Sequence, residues 1–341
     1  MRITRDTLLK IARDTAAERV RVSRRVVCIY LSGSCLSEEP LLGGTADIDL
    51  VIIEDGQPLL PREVVRLNDE ISLDICHYAQ EDFQHPRSLR VDPWLGPMLY
   101  NKPMVLHDTN HWFDYIQAST GAQFLQPDNI LARARNQAAG ARQKWLSLGL
   151  GSSADPARRI YAFYKALEYA GNAIASLSGT PLSERRFLLQ LPQKTAATGK
   201  PEKPALAAGL VALASGTSAV TDSEWQAWMT SWEAALTAVG KEESCPPRLL
   251  PARRSYYTRA AAALWADHPA AAFWILMRTF ALAAAHLPAG CEARAALETV
   301  SSTVGLDETH FEASLDELDR LLDQIEEMLD GWARKNGVAA E

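Results

Sequence analysis

The chain has few cysteines, and none of them lies in a Cys-x-x-Cys pair. The five residues are Cys28, Cys35, Cys76, Cys245 and Cys291. A structural zinc site needs closely spaced cysteine or histidine pairs, and a secreted disulfide scaffold needs a dense, even set of cysteines. The sequence lacks both patterns. We therefore expect free thiols and a reducing, cytoplasmic location.

The sequence also lacks a basic surplus. Its formal net charge is -7, with 23% charged residues. Proteins that bind nucleic acid usually carry a basic surface, so a nucleic-acid partner is disfavoured. The acids are concentrated near the end of the chain, because residues 307–330 contain ten acids and one base. The rest of the sequence is close to neutral.

Long uncharged apolar runs are missing as well. The strongest membrane candidate is PAAAFWILMRTFALAAAHLP, residues 269–288, and Arg278 lies at its centre. A charged side chain in the middle of a bilayer is costly. The first twenty residues carry charges throughout and lack the apolar core of a signal peptide. We therefore predict a buried helix over residues 269–288 and no membrane partner.

What the sequence contains is a change of pattern after about one third of its length. Before this point, short β-branched and aromatic runs alternate with helical stretches; beyond His111 the spacing is helical. The sequence predicts an α+β fold class, with a small mixed β-sheet domain over residues 1–120 and an all-α domain over 121–341. The predicted strands are 25–31, 46–53, 62–67, 71–78 and 103–106, and the predicted helices are 4–23, 129–148, 155–177, 184–191, 202–213, 223–239, 253–265, 270–287 and 307–335.

Three short motifs in the first domain carry the chemistry. Gly33-Ser34 follows the first predicted strand, Asp47 and Asp49 lie on the second, and Asp74 lies on a later one. Side chains two residues apart point to the same side of a strand. Asp47 and Asp49 are therefore expected to point together, and Asp74 joins them if its strand is a neighbour.

A group of carboxylates in a cleft favours a bound cation, because like charges at short distance repel each other. Mg²⁺ prefers oxygen ligands and usually binds a few carboxylates together with substrate phosphates. Gly33 allows the backbone to approach a ligand closely. A short helix that begins at Ser34 would offer free N–H groups to an anion such as a triphosphate. The pattern predicts a site for Mg²⁺ and a nucleoside triphosphate.

This combination resembles the polymerase-β-type nucleotidyltransferase superfamily: a hydrophobic run with Gly-Ser, then Asp-x-Asp, then a third Asp on a later strand. VLHD, residues 105–108, is similar to the end of that domain in antibiotic-modifying and minimal nucleotidyltransferases. The resemblance covers about residues 20–110. It implies that Asp47 and Asp49 bind Mg²⁺ and that Gly33 and Ser34 bind the nucleotide phosphates. Asp74 would be the third carboxylate, either as a metal ligand or as a general base.

A helical domain after this fold resembles the architecture of aminoglycoside nucleotidyltransferases, in which it usually binds the acceptor. Tyr161, Lys165, Glu168 and Asn172 lie at helical spacing on one polar stripe. In this interpretation Lys165 binds the triphosphate and Glu168 is a catalytic base for an acceptor hydroxyl. The alternative, which is favoured, is an ordinary amphipathic helix with a Lys–Glu pair three residues apart.

The last predicted helix carries a regular apolar stripe. It follows heptad spacing and comprises Phe311, Leu315, Leu318, Leu322, Ile325, Leu329 and Trp332. Packing on the chain's own helical domain is the favoured use of this stripe, and a homodimer interface is the other.

These observations predict a Mg²⁺-dependent nucleotidyltransferase. It would move NMP from an NTP, with ATP as the expected co-substrate, to a hydroxyl of a small molecule such as an aminoglycoside-like antibiotic. One alternative is a nucleotidyltransferase with a protein or RNA acceptor. Another is a non-catalytic nucleotide-binding or antitoxin-type module.

Overall fold

The computed structural model describes residues 3–151, 154–196, 202–216 and 219–338. The chain divides into two compact units, Met1–Gln126 and Pro127–Glu341. The first contains a β-sheet with helices, and the described residues of the second form helices and turns only. The α+β fold class is confirmed.

The first unit follows the predicted alternation of helix and strand. Helix α1 begins after Thr4, whose side chain accepts a hydrogen bond from the Thr7 amide, as an N-cap residue does. The Asn68 side chain accepts hydrogen bonds from the Glu70 and Ile71 amides, both at 2.8 Å, and so forms the turn between β3 and β4. The elements are α1 (Arg5–Val22), β1 (Val26–Ser32), β2 (Ala46–Glu54), β3 (Arg62–Arg66), β4 (Ile71–Ala79), α2 (Pro86–Val91), α3 (Leu95–Tyr100), β5 (Met104–Asp108) and α4 (Trp112–Gly121), with 3₁₀ turns at Gly33–Leu36 and Gln80–Phe83.

The five strands form one mixed sheet in the order β3-β4-β2-β1-β5. β2 and β4 are parallel neighbours, and the other three pairs are antiparallel. The strand predictions are confirmed to within about two residues at each end. Helices α2, α3 and α4 are absent from the predicted set; α2 and α3 have six residues each, too short to establish a periodic pattern.

Each face of the sheet has its own apolar core. One face packs against α1 and includes Ile48, Leu50 and Ile75. The other face packs Tyr30, Val51 and Ile53 with residues that include Leu89, Leu99 and Phe113 of α2, α3 and α4. The strand alternation places Asp47 and Asp49 on this second face, ahead of Val51 and Ile53. One face of the sheet therefore carries apolar core at one end of β2 and carboxylates at the other.

The second unit contains nine α-helices in its described residues. They are α5 (Pro127–Gly149), α6 (Pro156–Ser176), α7 (Phe187–Ala196), α8 (Glu202–Ser215), α9 (Asp222–Val239), α10 (Arg254–Leu264), α11 (Pro269–Ala285), α12 (Glu292–Ser302) and α13 (Phe311–Lys335). The eight helices predicted here are all present, although α7 begins after a 3₁₀ turn at Glu184–Arg186 and continues past Pro192, and α13 begins four residues later than predicted. The prediction missed α12.

The heptad stripe of α13 is packed inside the helical unit. Phe311, Leu318 and Ile325 are all at most 2% exposed, and α13 packs against α5, α6 and α8. The favoured interpretation of the stripe is confirmed. A homodimer stays a prediction, without support from these residues.

Helix α11, which covers most of the apolar segment 269–288, is buried along nearly its whole length. Among the residues that the structure describes, no helix combines the length and the hydropathy needed to cross a bilayer.

Candidate functional site

The parallel pairing of β2 with β4 brings the predicted carboxylates to neighbouring positions. Asp47 is opposite Ser72, and Asp49 is opposite Asp74. The Ser72 hydroxyl donates a hydrogen bond to Asp47 Oδ1, so these two side chains share a face. Because side chains alternate along each strand, Asp49 and Asp74 point to that same face. The sheet therefore places the three predicted carboxylates on one side of two adjacent strands.

Two of these carboxylates are almost fully buried. Asp47 is 1% exposed and Asp74 is 3% exposed, whereas Asp49 is only partly buried. Burying a charge is costly unless a partner compensates it. For Asp74 that partner is Arg62 of β3, which binds it through two nitrogens; Nε lies 2.6 Å from Oδ1, and Nη2 contacts Oδ2. Asp74 is therefore held in a bidentate ion pair.

Gly33 connects the Gly-Ser motif to the Asp-x-Asp motif. It lies at the start of the 3₁₀ turn Gly33–Leu36 with φ +73°, a conformation that favours glycine. A methyl group on Gly33 would lie 2.8 Å from Asp49 Cγ and nearer still to its Oδ2. The Asp49 carboxylate therefore lies directly against the backbone of Gly33, in space that any other side chain would fill.

The rest of the 3₁₀ turn is also joined to β2. The buried Cys35 thiol donates a hydrogen bond to the Asp47 carbonyl at 3.2 Å. Ser34 is half-buried, and its carbonyl accepts hydrogen bonds from the amide and the hydroxyl of Ser37. The short helix expected from Ser34 is a 3₁₀ turn that begins at Gly33, and it packs against the strand that carries Asp47 and Asp49.

The donor set of this face fits Mg²⁺. Carboxylate oxygens are the ligands that Mg²⁺ prefers, and one or two of them suffice when phosphate oxygens and waters complete the shell. Asp47 and Asp49 supply such a pair. Gly33 leaves space for the Asp49 carboxylate. Asp74 lies on the same face but is engaged by Arg62, so the two aspartates of β2 are the better candidates.

A different group of possible metal ligands has side-chain ligand atoms that lie closer together. Among the described residues, Asp108, His111 and Asp114 are the one set of three whose ligand atoms all lie within 4.8 Å of one another. The ligand atoms of Asp47, Asp49 and Asp74 therefore do not all lie this close. The His111 and Asp114 side chains are 90% and 69% exposed. Exposed acidic groups of this kind are common without a metal, so this group adds no second site.

Lys165 and Glu168 lie on α6 of the helical unit and bind each other. Lys165 Nζ is 2.7 Å from Glu168 Oε2, the three-residue pair named above as the alternative. Arg278 of α11 also donates to Glu168 Oε2, from Nη2 at 2.8 Å and from Nε at 3.2 Å. Burial acts to raise the pKa of Glu168, but the charges of Arg278 and Lys165 outweigh it and leave the pKa below its ordinary value. A carboxylate held in this way is a weak base.

A second ion pair, only partly buried, lies near this cluster. Arg248 Nη1 lies 3.0 Å from Glu184 Oε2, and the Tyr257 hydroxyl donates to the same oxygen at 2.9 Å. Burial acts to raise the pKa of Glu184, yet the nearby arginines, Arg248 foremost, hold it well below the ordinary range. Asn172, the last residue of the polar stripe, is fully buried and accepts a hydrogen bond from the Leu182 amide. These contacts stabilise the helical unit.

The sequence interpretation missed two polar residues of the candidate site, Arg62 and Ser72. Both follow from the hairpin once its register is known. Arg66 is opposite Ser72, Val64 is opposite Asp74, and Arg62 lies two residues before Val64 and so on the same face. Ser72 also precedes Asp74 by two residues and so shares its face. The turn at Asn68-Asp69 was the available signal.

No protein-family model matches the chain, and no curated protein matches it.

Proposed function

We propose that this protein is a Mg²⁺-dependent nucleotidyltransferase that moves NMP from an NTP to a hydroxyl of a small molecule. One observation carries the proposal. The Gly33–Leu36 turn lies against Asp49, while Asp47, Asp49 and Asp74 share one face of the sheet. A phosphate-binding turn and a metal-binding pair that touch each other are what transfer at an α-phosphate needs.

The proposed roles divide among the residues of the first unit. Asp47 and Asp49 hold Mg²⁺, and the backbone of Gly33 and Ser34 binds the phosphates. When bound, Mg²⁺ stabilises negative charge on the phosphates and on the leaving group. Cys35 and Ser72 fix the strand and the carboxylate of Asp47. Lys165 and Glu168 remain predictions outside the core of the proposal, because both are committed to the ion pair in the helical unit.

The proposed reaction exchanges a phosphoanhydride bond of the NTP for a phosphoester bond to the acceptor. The acceptor hydroxyl oxygen forms a bond to the α-phosphorus, the bond from that phosphorus to its bridging oxygen breaks, and pyrophosphate leaves. The hydroxyl proton passes to solvent, or to Asp74 if Arg62 releases that carboxylate. ATP is the proposed co-substrate, an aminoglycoside-like antibiotic is the proposed acceptor, and the free cysteines agree with a proposed cytoplasmic location.

Acceptor-dependent pyrophosphate release tests this proposal. The protein is incubated with Mg²⁺ and each of the four NTPs, with and without a panel of aminoglycosides. Release that requires an aminoglycoside and is lost in Asp49→Asn supports the proposal. Release with a protein or RNA acceptor instead assigns the alternative acceptor class, and no release with any acceptor contradicts transferase activity.

The ion pair between Arg62 and Asp74 favours a second candidate, a non-catalytic nucleotide-binding module. An arginine that permanently occupies the third carboxylate would leave phosphate binding intact while removing the base. NTP binding without turnover in the same assay would support this candidate.

A further inference from the structure

Arg62 brings a guanidinium to the face that carries the proposed metal ligands. It lies on β3, the edge strand beside β4, and its side chain is 27% exposed while that of Asp74 is 3% exposed. Both contacts are charge-assisted and bidentate, the strong geometry for an arginine and a carboxylate. The positively charged guanidinium therefore binds both oxygens of the Asp74 carboxylate.

A divalent cation at Asp74 and this arginine exclude each other. Both need the same carboxylate oxygens, and two cations at that distance would repel. The Ser72 hydroxyl donates a hydrogen bond to Asp47, and the backbone of Gly33 lies against Asp49. The bidentate contact of Arg62 is made with Asp74, and the competition with a cation arises there.

We propose that Arg62 competes with the metal for Asp74, so that Asp47 and Asp49 bind the first divalent cation while Asp74 stays in its ion pair with Arg62. This inference rests on the proposed metal role of Asp47 and Asp49. Arg62 is a positioning residue, and it acts through Asp74. It keeps the third carboxylate oriented, and Asp74 becomes a metal ligand or a base only when Arg62 releases it.

Arg66 provides a matched control. It lies on the same strand and the same face as Arg62, four residues further on, and pairs with Asp69 in the hairpin. The side chains of that pair are 52% and 73% exposed. Arg66→Gln therefore removes the same charge from the same strand without changing the partner of Asp74.

The test measures Mn²⁺ binding, by electron paramagnetic resonance, to the full chain without nucleotide. We expect Arg62→Gln to bind Mn²⁺ about tenfold more tightly than the wild type, since a hydrogen bond to a charged group is worth about that factor. Arg62→Lys should fall between them, and Arg66→Gln should equal the wild type. In the Asp74→Asn background, Arg62→Gln should have no further effect. Mn²⁺ should also raise the melting temperature of Arg62→Gln by more than that of the wild type, because it replaces the lost charge.

The outcomes separate this inference from the proposed function. If the wild type binds no Mn²⁺, or if Asp49→Asn does not weaken binding, the proposed metal role fails. If binding needs Asp49 but Arg62→Gln equals the wild type or binds more weakly, the competition is refuted and the metal role stands. If Arg62→Gln does not fold alone, Mn²⁺ must restore its fold; failure to do so also refutes the competition.

Discussion

Replacing Gly33 by alanine tests the contact that joins the two motifs. The new methyl carbon would lie 2.8 Å from Asp49 Cγ and 3.2 Å from Asp49 Cβ, where carbon atoms normally pack at about 3.5–4.0 Å. The β2 backbone cannot yield easily, because Asp49 is paired with Ser32 on one side and with Asp74 on the other. The Asp49 side chain must therefore rotate away.

Two effects of different size follow for Gly33→Ala. The backbone at φ +73° costs an alanine roughly 1–2 kcal/mol in the free energy of unfolding. Displacement of Asp49 should weaken Mn²⁺ binding by roughly 10–100-fold, the range seen when the positioning of a metal ligand is lost. Urea denaturation measures the first effect, and titration with Mn²⁺ measures the second.

Gly56→Ala is the matched control for this prediction. Gly56 has a similar φ of +75°, but a methyl group there would meet only Arg25 Nη2, at an ordinary 3.6 Å. It should lose about the same stability and keep the Mn²⁺ affinity of the wild type. Equal Mn²⁺ affinity in Gly33→Ala and the wild type would refute the link between the turn and Asp49. An equal loss in both variants would refute it too, since the effect would then follow stability alone.

The helical unit gives three further predictions. Glu168→Gln leaves Arg278, which is 1% exposed, without its carboxylate and should lower the free energy of unfolding by about 3–5 kcal/mol in urea; a loss below about 1 kcal/mol would show that the ion pair is not stabilising. Because the pKa values of Glu168 and Glu184 are lowered by folding, their stabilisation is complete above the unfolded-state pKa of about 4.3. It is lost as the pH falls through the folded values, so the melting temperature should drop in acid, and less steeply in Glu168→Gln. Leu318→Ala, at a fully buried position, should cost about 2–5 kcal/mol, whereas exposed Glu317→Ala should stay within about 0.5 kcal/mol.

Local patterns in the sequence were sufficient for most of the fold. The alternation in ADIDLVII placed Ile48 and Leu50 in the core and Asp47 and Asp49 on the opposite face, because a strand has a period of two. The heptad stripe of α13 likewise predicted its buried face. Short helices such as α2 and α3 form in their tertiary context, and their few residues carry no period to detect.

Contacts between distant residues could not be predicted in the same way. The Lys165–Glu168 pair lies within one helix turn, and the spacing alone indicated it. Arg278, the buried ion-pair partner of Glu168, is 110 residues away in sequence. Only the packing of α6 against α11 brings the two residues together. Arg62 and Asp74 form an intermediate case, since their contact follows from a hairpin whose turn is visible but whose register is not.

Mg²⁺-dependent binding of a triphosphate tests the central claim most directly. A fluorescent ATP analogue is titrated into the wild type and into Asp47→Asn/Asp49→Asn, each with Mg²⁺ and with EDTA, and circular dichroism confirms that both proteins are folded. We predict that the wild type binds the nucleotide only with Mg²⁺ and that the double variant loses this binding. Unchanged Mg²⁺-dependent binding in the folded double variant would contradict it.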